Sequence, residues 1–251
     1  METLLAVGTL AVGMLFIGGT FMTGVYFTTI STERTIAAVA AQEALAKIRV
    51  YGLDPNDPNL NSNAFTPYEQ IRVIPPVEFL YPSTWDAPAS QYSWSAICKR
   101  VGGNSRLVQV TVFVCRETGA HMKYWVRKTG ADAPQLDLSD RPHPVRVTIA
   151  QKAGQNGDEA SIVDAVTTDT IDERTFINDG ASLVDEATGQ IYRVLKRPAN
   201  PADQPDTIKL DRAWTGGTIA PPAGGGVWVV PPASGRGRDA VVAIYQETLR
   251  F

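Results

Sequence analysis

Hydrophobic and polar positions divide the chain into an uncharged opening, an amphipathic stretch and a long body of short apolar runs. From Thr3 to Thr32 there is no Asp, Glu, Lys or Arg. A bilayer core about 30 Å thick needs roughly 20 apolar helical residues to cross it. A helix buried in a soluble domain would carry a polar stripe, and none is visible here. The pattern predicts a membrane helix over about residues 3–27, with Tyr26 and Phe27 placed as interfacial anchors. A signal peptide is the weaker reading, because the apolar stretch is long for one and no small-x-small site ends it.

Residues 33–50 continue the helix in a different character. Ala37, Ala41, Ala44, Leu45 and Ile48 recur at helical spacing, while Gln42, Glu43, Lys47 and Arg49 lie largely to the other side. Glu43 precedes Lys47 by four residues, the favourable order for a helix ion pair. Gly52 is the expected stop, and Pro55 prevents resumption. One helix from Thr3 to Val50 would have its first half in lipid and its second half against a globular head.

The body reads as β-structure. Residues 53–90 form an irregular connector; Tyr81 and Trp85 within it, and Tyr92 and Trp94 beyond it, read as packing residues. A hairpin is predicted with strands Tyr92–Val101 and Arg106–Arg116 around the turn Gly102-Gly103-Asn104-Ser105. Val108, Val110, Val112 and Val114 alternate onto one face. Gln109, Thr111, Phe113 and Cys115 take the other, joined by Tyr92 and Trp94. A sheet covered on both faces fits, with the helix on one side and a second module on the other. A further strand is expected within His121–Lys128, and residues 129–144 read as a linker. Strands at Val145–Ala150, Ile191–Lys196, Thr207–Leu210, Val227–Val230 and Ala240–Leu249 predict a small β sandwich or barrel over 145–251. The fold class is therefore α+β: a 1–52 helix, a 53–128 head and a C-terminal all-β module.

Composition narrows the chemistry. The 251 residues carry a net charge of −3, which gives no support to nucleic-acid binding. Two cysteines and two histidines are too few for an ordinary zinc framework. No Walker loop or GxSxG elbow is present, and Gly224-Gly225-Gly226 reads as a loop. His121 and His143 lack sequence neighbours that could ligate with them. Arg236 and Arg238 make a small basic spot on a solvated loop. The pairs Asp158-Glu159, Asp172-Glu173 and Asp185-Glu186 read as solvated surface. No catalytic residue, metal site or cofactor is expected. Asp54, Asn56 and Asp57 are a weak calcium candidate, and equally ordinary turn formers beside proline.

Cys98 and Cys115 invite a disulfide if the chain is exported. A regular hairpin centred between Gly103 and Asn104 opposes it. That register sets Cys98 opposite Gln109, on the same face as Cys115 but about 20 Å away at roughly 3.4 Å per residue. A disulfide tolerates about 7 Å between Cα atoms. Two free thiols are expected, or else a different hairpin. Glu2, at the lip of the apolar run, is either an acid left in the headgroup region or a buried acid in need of a partner.

The run Glu2-Thr3-Leu4-Leu5-Ala6-Val7 opening an uncharged helix, followed by Glu33-Arg34 and Ala41-Gln42-Glu43-Ala44-Leu45-Ala46-Lys47-Ile48-Arg49, resembles type IV pilins and type II secretion pseudopilins. The second stretch is similar to the minor, PilV-like and I-type subset, and Tyr92–Cys115 looks like that subset's β-sheet. The resemblance implies a leader ending in Gly and cut by a prepilin peptidase, N-terminal methylation, and a single pass through a bacterial inner membrane with the body outside the cytoplasm. It implies a non-enzymatic fibre subunit whose partners are other pilins and the inner-membrane assembly platform. Glu2 matches the family's glutamate, thought to meet a neighbour's N-terminal amine. Thr9, Gly13, Thr20 and Gly24 would let helices approach in membrane or fibre. The competing expectation is a membrane-anchored binding or enzyme domain unrelated to a fibre.

Overall fold

The protein, seen in a computed structural model, is described over residues 2–83, 91–102, 106–117, 119, 122–127, 136–151, 157–163, 172–197, 207–215, 225–233 and 239–251. One long apolar N-terminal helix is followed by a body that is mostly β-sheet. Helix α1 runs unbroken from Glu2 to Tyr51. It ends where Gly52 adopts φ +74° and donates its N–H to Ile48 O at 3.0 Å. A residue with a Cβ is disfavoured in that left-handed conformation, so glycine at this position makes the stop.

Beyond α1 lie β1 (Thr66–Pro67), α2 (Tyr68–Ile71) and β2 (Leu80–Tyr81), which give local order to the predicted connector. Asp54 Oδ1 accepts from Asn56 N and Asp57 Oδ1 from Asn59 N, both at 2.8 Å. These are the turn-forming bonds that short acids make with backbone two residues on. Strands β3 (Tyr92–Arg100) and β4 (Leu107–Arg116) form the expected hairpin, in a different register. Cys98 faces Val110 and Trp94 faces Val114. The one-residue slip reverses the predicted face of every β3 side chain relative to β4. Trp94 and Cys98 therefore join the valine face, and Ile97 joins Phe113 and Cys115 on the other. Both cysteines are free and buried, now on opposite faces of the sheet.

The head sheet is completed from the far end of the chain. Strand β13 (Val241–Arg250) pairs antiparallel with β4 along its whole length, giving the order β1-β3-β4-β13, with β2 also on β3. The boundary expected at 145–251 is therefore corrected: the last strand belongs to the head. Its alternation reads as a strand in sequence, but nothing local shows that its partner lies more than a hundred residues earlier. The predicted linker is corrected as well, since β5 (Tyr124–Arg127) pairs with β6 (Leu136–Ser139) inside it.

Between β6 and β13 a closed six-stranded barrel is inserted. Its strands are β7 (Val145–Gln151), β8 (Glu159–Val163), β9 (Ser182–Asp185), β10 (Ile191–Lys196), β11 (Thr207–Leu210) and β12 (Gly225–Val229), in the order β10-β11-β8-β7-β12-β9. Strands β8 and β9 were not foreseen, and Gly225 and Gly226 are strand rather than loop. A Cβ at 226 would push aside the ends of the paired Glu186 and Arg146 side chains, which close over the glycine. Alternation works as it should: Val145, Val147 and Ile149 point into the barrel while Arg146 points out. On β9 and β12 the outward residues Val184 and Trp228 are register partners. They leave the barrel core and pack with Ile97, Phe113 and Cys115 on the head. The head sheet is thus covered by α1 on its valine face and by the barrel on the other.

Candidate assembly helix and the head–barrel seam

The two halves of α1 have opposite environments. The helix is long and apolar enough to cross a membrane, and its apolar window is not buried against the body. Leu4, Leu5, Phe16, Ile17, Phe21 and Met22 are each at least 70% exposed. Glu2 lies exposed in the first turn. Thr9 Oγ1 donates to Ala6 O at 2.9 Å, and Thr20 Oγ1 donates to Phe16 O and Ile17 O at 3.0 Å. These hydroxyls satisfy themselves on their own helix, which lets threonines lie in an apolar run without an orphaned donor. Gly13 and Gly24 have open space where a Cβ would stand. Thr9 stands exposed and Gly13 has open space beside it, while Thr20 and Gly24 line a shallow hollow with Gln91, Tyr92 and Arg116 of the head.

The second half packs. Ala37, Ala41, Ala44, Leu45 and Ile48 are buried at 0–2% exposure, and Ala40, not singled out in the sequence, joins them. They lie against β3, β4 and β13 with Val108, Val110, Val112, Val114, Trp94 and Leu249. Small alanines let the helix lie close to the valine ridge. Burial of Leu45 and Ile48 contributes about 1.5–3 kcal/mol each. Polar contacts fix the helix along its edges. Lys47 Nζ lies 2.8 Å from Glu43 Oε1 and 3.1 Å from Glu78 Oε2, and donates to Glu78 O at 2.7 Å. Trp94 Nε1 donates to the same carbonyl at 2.9 Å. Where the apolar half gives way, Glu33 pairs with Arg116 at the end of β4. Burial, aided by the Glu33 charge, raises the Tyr92 phenol above its ordinary value there. The Glu43–Lys47 pair is legible from spacing; the Glu33–Arg116 and Lys47–Glu78 pairs join distant segments and are not.

The seam between head and barrel holds the remaining concentration of polar groups. Lys99, only 7% exposed, donates to Glu186 O at 3.3 Å and Ala187 O at 2.7 Å, and sits 4.7 Å from the Phe65 ring centroid. Desolvation lowers its ammonium pKa, against the pull of Asp185 and Glu186. On the next strands Gln246 Nε2 donates to Gly189 O at 2.6 Å and to Thr111 Oγ1 at 3.1 Å. The β9–β10 turn is thereby clamped to β3, β4 and β13.

Two of the acid pairs read as solvated surface are in fact structural. Asp185 is 1% exposed and accepts from Thr188 N, Thr188 Oγ1 and Trp214 Nε1 at 2.7, 2.6 and 3.2 Å. Glu186 takes a bidentate grip from Arg146 at 2.8–2.9 Å. Glu173 is fully buried and pairs with Arg127. Each acid is held by a donor or cation that folding brings to it, so its local polarity in sequence misleads.

A cleft of about 420 Å³ opens at this seam, between β1, α2 and β3 of the head and β5, the start of β7 and Trp228. Phe65, Pro67, Val126 and Pro144 supply apolar wall. Its charged residues are already matched: Arg146 with Glu186, Arg127 with Glu173, and Glu69 with Arg141. His143 Nε2 lies 2.9 Å from Ser139 Oγ and Nδ1 lies 3.5 Å from Glu69 Oε1; Glu69 is already held by Arg141, and burial with the nearby Arg141 pushes the imidazole pKa down to about 3. The imidazole is therefore neutral in the wall. Among the described residues there is no cluster of three His, Cys, Asp or Glu able to hold a metal. His121, Arg236, Arg238, Trp85 and Gly224 lie outside the described residues. No family model, curated protein or solved structure matches this chain.

Proposed function

We propose that the chain is a non-enzymatic structural subunit of a helical fibre of the type IV pilus or type II secretion kind, a minor pilin or pseudopilin anchored by α1. The observation that carries this reading is the division of one continuous helix: an uncharged, largely exposed half from Thr3 to Thr32, and a half packed on a β-sheet from Ala37 to Ile48. A simple anchor has no need of the packed half. A fibre subunit uses it to hold the head in fixed orientation to the bare half, and Glu33–Arg116 adds a second point of fixation. In the bilayer the bare half stores the subunit. On assembly its lipid contacts are exchanged for neighbouring helices, with Thr9, Gly13, Thr20 and Gly24 as close-approach points. Glu2 would enter an apolar fibre core, where a carboxylate is costly unless a cation meets it. Residues 3–32 supply none, so a neighbour's amine is the partner.

The test is Glu2→Ala in the native strain. Membrane-fraction levels should hold, while the amount co-purifying with other pilins should fall. Normal co-purification would remove the pairing role of Glu2. A second reading, a tethered binding domain, has the cleft at the head–barrel seam in its favour.

A further inference from the structure

We infer that the free edge of β13 takes up, by strand addition, an extended segment of a different protein running antiparallel to it. Strand β13 stands last in the order β1-β3-β4-β13 and pairs with β4 alone. The bond from Phe251 N to Arg106 O at 3.0 Å sets its alternation. Ala243, Tyr245, Glu247, Leu249 and Phe251 turn their backbone groups toward β4, so Ile244, Gln246, Thr248 and Arg250 turn theirs outward. No described residue pairs with that outward row. Such a row is a template for another strand.

The edge lacks the usual protection. Residues 241–250 include no proline or lysine, and the irregularity in the ladder is confined to Val241 and Ala243. The Glu247 charge is met by Arg49. The opposite side of the sheet is different: β1 and β2 are two residues long, and β1 contains Pro67. The head sheet is blunt on that side and open at β13.

A second copy in the same membrane does not fit this edge. Glu33 meets Arg116 near the start of β13 and Arg49 meets Glu247 farther along it, so α1 runs in the direction of β13. Two β13 edges paired antiparallel would carry their α1 helices in opposite directions, and one bilayer cannot take both apolar halves. A two-fold axis along the strands would set each residue beside its own copy with the side chains on opposite faces, whereas directly opposed residues in a ladder share a face. Copies set side by side would bring β13 only against the next copy's blunt side. The partner is therefore a different chain. Arg250 is exposed and makes no ion pair with a described residue, so the segment is favoured by an acid opposite it. The open edge stands without the fibre reading; the exclusion of a second copy rests on α1 lying in a bilayer, which is part of that reading.

The experiment uses the full chain in detergent micelles and reads amide hydrogen exchange residue by residue. The probe is N-acetylated, C-amidated Glu-Val-Thr-Thr-Thr-Val-Val, whose Glu lies opposite Arg250. In the free protein the N–H groups of Ile244, Gln246 and Thr248 should exchange fast, and those of Tyr245 and Glu247 slowly. Saturating peptide should slow the first set about tenfold or more. N-methylation of the peptide at its third and fifth residues, which face β13, should abolish that protection; N-methylation at the fourth and sixth should leave it. Lys in place of the peptide's Glu should weaken binding. Thr248 is exposed, and a proline there would lack only an outward N–H. Thr248→Pro should therefore melt near the wild type and lose the protection by peptide, while Thr248→Ala should keep it. The proposal is overturned by an absence of protection up to millimolar peptide, or by equal protection from the two methylated peptides. It is overturned also by concentration-dependent protection of the same amides without peptide, the mark of a second copy. Co-purification of Glu2→Ala bears on the fibre alone, so the two readings fail separately.

Discussion

The backbone N–H of Arg116, at the end of β4, donates to the carbonyl of Ala240 at 2.8 Å, closing the point where the chain leaves the head and the point where it returns. The barrel is therefore an insertion with adjoining ends, and the head is a discontinuous sheet. Its stability depends on contacts made from three directions: α1, β13 and the barrel.

Removing the packed half of α1 should destabilise the head, and removing the bare half should not. A chain beginning at Glu33 keeps Ala37 to Ile48 on the valine face, and one beginning at Asp54 leaves that face open. The longer version is expected to melt close to the full-length protein in detergent, and the shorter one well below it. Equal melting temperatures for the two would mean that the helix does not support the sheet.

Lys99→Met should loosen the seam. The substitution keeps much of the stem but leaves Glu186 O and Ala187 O without their donor, at a cost of about 1–3 kcal/mol. Urea unfolding of the full chain measures the loss; an unchanged midpoint would show that the clamp contributes nothing.

Gly189→Ala tests the same turn by a different route. Gly189 has φ +76°, and an added Cβ would press on the Gln109 side chain. The left-handed backbone alone costs a residue with a Cβ roughly 1–2 kcal/mol. Gln109→Ala in the same chain should recover the steric part and not the backbone part.

Thiol reagents should find two cysteines and find them slowly. Cys98 and Cys115 are both fully buried, and desolvation raises both thiol pKa values. Under denaturing, non-reducing conditions both should react at once. Zero reactive thiols in the denatured monomer would contradict the β3–β4 register.

His143 should make folding acid-sensitive. Its pKa falls from 6.5 to about 3 on burial, so below about pH 6.5 the unfolded chain takes up a proton that the folded chain refuses. Its contribution is complete above that pH and is lost as pH falls toward 3, at up to about 1.4 kcal/mol per pH unit. Asp239 acts in the opposite sense, since burial raises it from 3.8 to about 6 and its penalty is relieved as pH drops through that window. The comparison of wild type with His143→Gln isolates the histidine. The variant should show the smaller loss of stability between pH 6.5 and 4; identical slopes would contradict a neutral buried imidazole.

The long helix was legible because its signals are local: an uncharged run, a helical stripe of alanines and a glycine stop. The hairpin was legible in place but not in register. Symmetry about Gly103 and Asn104 set Cys98 against Gln109, whereas the sheet sets Lys99 there. That single position decides whether Trp94 packs with Phe79 and Tyr68 beneath α1 or faces the barrel. Strand β13 showed its alternation and hid its partner, because register against β4 is decided by tertiary packing. The cleft was invisible for the same reason. Gln70, Ser95, Arg127 and Trp228 are ordinary residues in four separate segments, and only the insertion of the barrel gathers them.

The pairing of β4 with β13 also imposes an order on synthesis. A ribosome adds about 5–20 residues per second, so on the order of ten seconds separates completion of β4 from arrival of its neighbour. During that interval the Val108 to Val114 stretch presents an unpaired edge, and β12, which closes the barrel between β7 and β9, is itself made only shortly before β13. The parent sheet therefore waits for the last segment of the chain to cover the edge of β4. A chain that ends short of residue 241 leaves the head with an open, adhesive edge along β4.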